Sequence, residues 1–322
     1  MIAEKIQAHF HPERFQGWGK KRNYFEGWYF KLISKTGDRA MAIIPGIAMD
    51  SRGEGHAFIQ VMDGKKGTAE YHTFPLDAFQ PVSTHFDVAV GDNQFSATGI
   101  KLNLPGLKGE ISISGKASWS NPWYAPGIMG PFSWLKFMEC FHGIVSMDHQ
   151  LDGQFKYQGE VFDFSGGRGY MEKDWGKSFP SAYVWMQSNH FEEKGISFKC
   201  SLAHIPFLGS SFTGFIAGLY IHGTFIRFTT YNRSRLTHLE RGKQSVQLSL
   251  QSPKYRLEVE AISGRTTLLA SPIQGAMEGK IAESMTATLN IKLTNRRSGQ
   301  IVFQGSGQHA GLEIAGDFKL LQ

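Results

Sequence analysis

From Tyr24 onward this chain is a succession of short aromatic and β-branched segments separated by glycine-bearing turns. That pattern limits its fold more than any other feature. Its 37 glycines and 42 aromatics (25 Phe, 10 Tyr, 7 Trp) leave few long helical runs, and segments punctuated in this way favour sheet over helix. Tyr24–Ser34 and Ala40–Ala48 are predicted strands joined through Lys35-Thr-Gly-Asp38, and His56–Met62 closes on the turn dipeptide Asp63-Gly64. Similar signals continue through Ile301–Leu321, for roughly twenty strands in all. The expected class is therefore all-β with little helix, as two antiparallel barrels or sandwiches, because barrel closure removes exposed edges.

Two features organise this series. Asn121–Cys140 interrupts it with a Pro/Gly-rich aromatic loop carrying Trp123, Tyr124, Met129, Phe132 and Trp134, with one helical turn expected around Phe132–Phe141. So apolar a loop is expected to cover a cavity mouth or to dip toward a membrane surface. A weak repeat, Arg22-x-Tyr24-x-Glu26-x-Trp28 and Arg168-x-Tyr170-x-Glu172 followed by Trp175, suggests two halves. The second copy, like the first, precedes an apolar pair and a glutamine (Phe58-Ile59-Gln60, Trp185-Met186-Gln187). The expected domains are 1–160 and 161–322.

Composition limits the function classes. With 41% hydrophobic and 19% charged residues the chain is globular. Its formal charge of +6 is scattered, which suits an anionic membrane surface but matches no nucleic-acid motif. Cys140 and Cys200 sit among apolar neighbours, as in a reduced cytoplasmic protein with buried thiols. The first residues lack the order of a signal peptide, and no run of 18 apolar residues occurs. Absence of Gly-x-Ser-x-Gly, P-loop, dinucleotide and His-Glu-x-x-His signatures leaves hydrolase, kinase and dehydrogenase readings without support.

The segment Gly166-Gly-Arg168-Gly-Tyr170-Met-Glu172-Lys-Asp174-Trp175-Gly176 carries the most chemistry. As a strand of period two it places Tyr170, Glu172 and Asp174 on one face and Met171, Lys173 and Trp175 on the other. If the first face lines a closed apolar cavity, desolvation raises a carboxyl pKa and makes a usable proton donor. If it meets water, it is an ordinary solvated strand face. Glu26 lies in an otherwise aromatic strand, where a buried charge needs a partner, for which Arg22 and Arg168 are the candidates. His142, Ser146 and Asp148 are expected to share a face, with His149 opposite. This group matches no metal template, and the His9-x-His11 pair has zinc-ligand chemistry but lies where terminal disorder is expected, so no metal is expected.

Three of these segments together resemble the tocopherol cyclase family: Asn23-Tyr-Phe-Glu-Gly-Trp-Tyr-Phe-Lys31, Met138-Glu-Cys-Phe-His-Gly-Ile-Val-Ser-Met-Asp-His149, and Gly169-Tyr-Met-Glu-Lys-Asp-Trp-Gly-Lys-Ser-Phe-Pro180 with Trp185-Met-Gln187. The resemblance implies two lipocalin-like β-barrel domains. It also implies a reaction without redox cofactor or metal, in which a prenylated quinol closes a chromanol ring as its hydroxyl adds to a side-chain double bond. More distantly the chain is similar to carotenoid hydratases, which protonate an isoprenoid double bond at a comparable Tyr-x-Asp/Glu site. Glu172 is then the expected proton donor, with Asp174 and Tyr170 as helpers. Glu26, Trp28, His142, Trp175, Trp185, Gln187 and Asn189 are the candidate substrate-binding residues. The expected partner is a hydrophobic small molecule, with peripheral membrane contact a further expectation. The alternative is a non-catalytic lipocalin-like carrier of an isoprenoid or other apolar ligand.

Overall fold

The computed structural model describes residues 10–119, 126–135, 138–207 and 209–322. His9, Trp123 and Tyr124 fall outside the described residues. Strand accounts for 64% of the structure and helix for 4%, so the all-β expectation holds.

Twelve strands form the first sheet, all of whose pairings are antiparallel. They are β1 (Tyr24–Ile33), β2 (Ala40–Met49), β3 (Gly55–Asp63), β4 (Thr68–Phe74), β5 (Phe79–Pro81), β6 (Asp87–Val90), β7 (Asn93–Ser96), β8 (Gly99–Leu104), β9 (Leu107–Ser114), β10 (Cys140–Tyr157), β11 (Glu160–Asp163) and β12 (Arg168–Gly176). Their order is β4-β3-β2-β1-β12-β10-β9-β8-β7-β6-β5, with β11 on β10. The sheet curls around its own core. Trp28 of β1 stacks on Phe86 at 5.3 Å between ring centroids, and Phe30 reaches Phe95 of β7 at 6.0 Å, although β1 and β7 are far apart in the order. Across the same gap Tyr157 of β10 donates to Glu70 of β4 at 2.9 Å.

The second sheet holds β13 (Tyr183–Ser188), β14 (Ile196–Phe207), β15 (Ser210–Ile221), β16 (Thr224–Thr229), β17 (Arg235–Arg241), β18 (Ser245–Gln251), β19 (Tyr255–Ile262), β20 (Thr266–Ile273), β21 (Ala276–Asn295) and β22 (Ile301–Ala315). Its order is β16-β15-β14-β13-β22-β21-β19-β18-β17, with β20 on β21. It wraps a second core that includes Val184, Phe198, Leu219, Leu248, Leu289 and Leu312. Both domains are lipocalin-like.

The chain divides after Phe179 into two compact units, and Leu269–Lys280 counts with the first. The first unit thus continues beyond residue 160, because β12 is hydrogen-bonded between β1 and β10. Gln60 secures the inserted segment by bonding both main-chain polar groups of Ala270, accepting from its N–H at 2.8 Å. The Arg-x-Tyr-x-Glu repeat does not mark the two units, since both copies lie on neighbouring strands of one sheet.

Burial separates two kinds of strand. β8 alternates buried and exposed positions, with one face on the core and the other in water, as a half-buried strand should. By contrast, β1, β2 and β13 are buried almost throughout, so their second face is covered as well. The chemistry-bearing residues of the sequence lie mainly on strands of this second kind.

β10 departs from regular period two. Its pairing with β12 shifts register between Ile144 and Ser146 and again between Ser146 and His149. His142 therefore aligns with Asp174 while Ser146 aligns with Met171, on the opposite side of the sheet. The expected His142/Ser146/Asp148 face does not form, and Asp148 instead binds Arg168, accepting from its Nε at 2.9 Å. His149 is 1% exposed against Gly169, where an added Cβ would lie 2.3 Å from the imidazole Nε2.

Burial, reinforced by Lys116 and Arg168, lowers the His149 pKa to about 3. Between that value and the ordinary 6.5 the unfolded chain binds a proton that the folded chain refuses, so this group makes stability fall as pH falls through the window. The slope for one proton is about 1.4 kcal/mol per pH unit. Denaturant titrations at pH 6 and pH 4 should accordingly show wild type losing roughly 2–3 kcal/mol more than His149→Leu. Equal losses in the two proteins would refute this account of His149.

Candidate active site

The expected face of β12 exists. Tyr170, Glu172 and Asp174 point to one side, while Met171 joins the core on the other. Antiparallel register brings His142 and Ile144 of β10 beside Asp174 and Glu172, and Tyr29 of β1 beside Glu172. Gly27 lies opposite Asp174 and presents no side chain there.

The side chains form one connected line. Tyr170 donates its hydroxyl to Glu172 Oε2 at 2.5 Å. His142 Nε2 lies 3.4 Å from the same oxygen, and its Nδ1 donates to Asp174 Oδ1 at 2.6 Å. Glu172 is only 4% exposed and Tyr170 is fully buried. Glu172 and Tyr170 are thus withdrawn from bulk water, whereas the Asp174 side chain at the end of the line is 23% exposed.

Burial, together with the Glu172 carboxyl, pushes the Tyr170 phenol well above its usual range. Burial likewise raises the Cys140 thiol, helped by Asp174, Glu139 and Glu172. Both groups therefore stay protonated near neutrality, as a hydrogen-bond donor and an inert thiol respectively. One ligand atom from each of His142, Glu172 and Asp174 lies within 4.8 Å of the others, so among the described residues these three could hold a cation.

The remaining candidates lie elsewhere. Glu26, Trp28 and Trp175 are on the reverse side of the same sheet, around Lys173. The Lys173 ammonium pairs with Glu26 and sits 4.7 Å from the ring centroids of both Trp28 and Trp175. Neither Arg22 nor Arg168 is the partner of Glu26, because Lys173 is closer in register and Arg168 is taken by Asp148. Trp185, Gln187 and Asn189 belong to the second unit. They are buried on the side of β13 opposite core residues Val184 and Met186, with Gln187 donating to Asn189 at 3.5 Å.

Sequence reasoning missed Tyr29 and Lys173. Tyr29 belonged to a quoted motif, but only the pairing of β1 with β12 makes it a neighbour of Glu172. Among the described residues of the middle loop a 3-10 turn spans Gly130–Trp134, slightly earlier than expected. Met129 immediately before it accepts a hydrogen bond from the His142 backbone through its sulfur at 3.2 Å. Trp134 is 52% exposed, edge-on to Phe10 at 5.8 Å. Among the described residues no helix is long and apolar enough to cross a membrane.

Comparisons with known proteins place the chain in a family. The pattern of the tocopherol cyclase-like family matches residues 107–316, a stretch that contains β10 and β12. A chloroplastic tocopherol cyclase from Zea mays is 24% identical over 198 residues, covering 57% of this chain and 41% of the maize protein. The chain thus spans less than half the length of that relative. Among solved structures, CghA with Sch210972 superposes with a TM-score of 0.57 at 12% identity, covering 91% of this chain and 89% of CghA. Kievitone hydratase from Nectria haematococca gives 0.50 at 12% identity, covering 90% and 89%. These two likenesses concern the fold, whereas the family match covers most of the chain and includes the acidic strand. This protein belongs to the tocopherol cyclase-like family.

Proposed function

We propose that this protein is a cofactor-independent cyclase that closes a chromanol ring on a prenylated quinol, with Glu172 as the acid. One observation carries the reading: a buried carboxyl, bonded to a phenol and facing an imidazole that a second carboxylate holds in place. Burial disfavours a bare carboxylate and favours the protonated form that an alkene requires.

The atoms balance without any co-reactant. Glu172 gives its proton to the less substituted alkene carbon, making a C–H bond and a tertiary cation. The quinol oxygen attacks that cation, making the C–O bond, and the hydroxyl proton returns to Glu172. Tyr170 holds one carboxyl oxygen, leaving the other as the donor. His142, oriented by Asp174, stands with Nε2 3.4 Å from the carboxyl and stabilises the carboxylate when that nitrogen carries a proton. By register, the same face carries Phe25, Tyr29, Phe58 and Tyr71, whose rings suit a carbocation at about 0.5–2 kcal/mol each.

The test is incubation of the purified protein with a prenylated quinol and chromatography for the chromanol. Ring-closed product supports the cyclase. Saturable binding with the quinol recovered unchanged supports the carrier reading instead.

A lipidic substrate also suggests a membrane surface as its source. Trp134 is the exposed aromatic among the described residues of the middle loop, and we expect Trp134→Ala to lower flotation with anionic liposomes about tenfold, the effect of losing roughly 1.5 kcal/mol of apolar burial. If neither protein floats, the loop acts only as a cover over His142.

A further inference from the structure

We infer that the segment His11–Gln16 is a positioning strap that braces the acidic site from the reverse side of the sheet, with Lys173 and Glu26 as its lock. The site residues and the strap-holding residues alternate along the same three strands. On β12, Lys173 stands between Glu172 and Asp174. On β10, Gly143 directly follows His142. On β1, Trp28 stands between Gly27 and Tyr29. In each case one neighbour faces the site and the next grips the strap.

The grip is specific. The Lys173 ammonium, fully buried, has three oxygen partners: the Glu26 carboxylate, the Pro12 carbonyl at 2.9 Å and the Arg14 carbonyl. That matches its three N–H donors. Glu26, also fully buried, accepts from the Gln16 backbone N–H at 2.9 Å and from the Tyr24 hydroxyl. The Trp28 indole donates to the Glu13 carbonyl at 2.8 Å. Gly143 lets the strap lie close, since a Cβ there would approach Pro12 Cβ to 2.9 Å. An isolated buried ion pair would need only its two members. Here most of the remaining hydrogen-bonding capacity is spent on the main chain of one short segment.

A plain structural plug would affect stability alone. A brace also fixes the spacing of β10, β12 and β1, and so the 2.6 Å bond between His142 and Asp174 and the 3.4 Å approach to Glu172. Such spacings govern catalysis steeply, because small misplacements cost large factors in rate. This inference relies on the proposed function only in its activity arm.

The test compares wild type with Lys173→Met/Glu26→Leu, which removes the lock without leaving an unpaired buried charge. Strap release is read by trypsin cleavage at Arg14. Site geometry is read by the downfield proton resonance of His142 Nδ1–H, assigned by its loss in His142→Gln. The expected result is cleavage at least tenfold faster, with His142 proton exchange accelerated by a similar factor and the unfolding transition retained. Where prenylquinol turnover is measurable, kcat should fall at least tenfold with KM within about twofold. Gly143→Val, which presses on Pro12 instead, should reproduce these effects and serves if the double variant does not fold. A freed strap with an unchanged His142 resonance would overturn the inference, as would a strap still protected in both variants. The NMR arm needs no substrate, so its outcome is separate from whether the protein is a cyclase.

Discussion

Replacing Glu172 with Gln should lower ring-closing turnover by roughly 10²–10⁴ while leaving substrate affinity within a few-fold of wild type. Glutamine keeps the volume and can still accept from Tyr170, but it has no acidic proton. The loss should therefore appear in kcat rather than KM, because the missing interaction belongs to the transition state. Asp174→Asn should cost less, since Asp174 reaches the reaction through His142. Single-turnover kinetics of the two variants separate these roles. If Glu172→Gln turns over like wild type and Asp174→Asn does not, the donor assignment passes to Asp174.

The second large effect is one of stability. Lys173→Met alone leaves Glu26 buried without a cation and should destabilise the first unit by about 3–5 kcal/mol near neutral pH. Burial already raises Glu26 above its usual range and lowers Lys173 below its own, the shift for each being opposed by its partner. Without Lys173 nothing of comparable strength holds the Glu26 charge, so the carboxyl should protonate in the folded state. A carboxyl with a raised folded pKa costs nothing below its unfolded value, costs progressively more as pH rises from there to the folded value, and levels off above it. The deficit should accordingly shrink toward pH 4.5 and grow toward neutrality, while Lys173→Met/Glu26→Leu recovers most of it. Denaturant midpoints across that range check both statements. A single variant within 1 kcal/mol of wild type at neutral pH would contradict them.

Glu26 and Glu172 make an instructive pair. Each accepts a hydrogen bond from the tyrosine two residues earlier, on neighbouring strands, yet on opposite sides of one sheet. The first is answered by a lysine and a backbone N–H, which fix its charge and hold a segment in place. The second faces an imidazole whose own proton is held by Asp174, so its partners are groups that can pass protons. Identical local motifs thus meet different partners, a buried lysine in one case and an imidazole in the other.

This contrast marks how far the sequence could be followed. The face shared by Tyr170, Glu172 and Asp174 was legible because alternation in a strand is local and needs no knowledge of neighbours. Strand positions were legible for a similar reason, since glycine turns bound them. The pairing of β1 with β12 was not, because it joins segments far apart in the chain and no local rule specifies it. With it went Tyr29 beside Glu172 and Lys173 as the partner of Glu26. The two register shifts in β10 were also hidden, and they spoiled the expected His142/Ser146/Asp148 face. The repeat misled in an informative way, since it records two strands of one sheet rather than two domains.

The central claim is that this protein moves a proton from solvent-exchangeable Glu172 to an alkene carbon. Turnover of a prenylated quinol in D₂O, followed by mass spectrometry and NMR of the chromanol, tests it most directly. The account predicts one deuterium per product molecule, on the ring carbon next to the ether-bearing quaternary carbon, with Glu172→Gln forming that product far more slowly. Chromanol formed without deuterium at that carbon, or quinol bound and recovered unchanged, would contradict it.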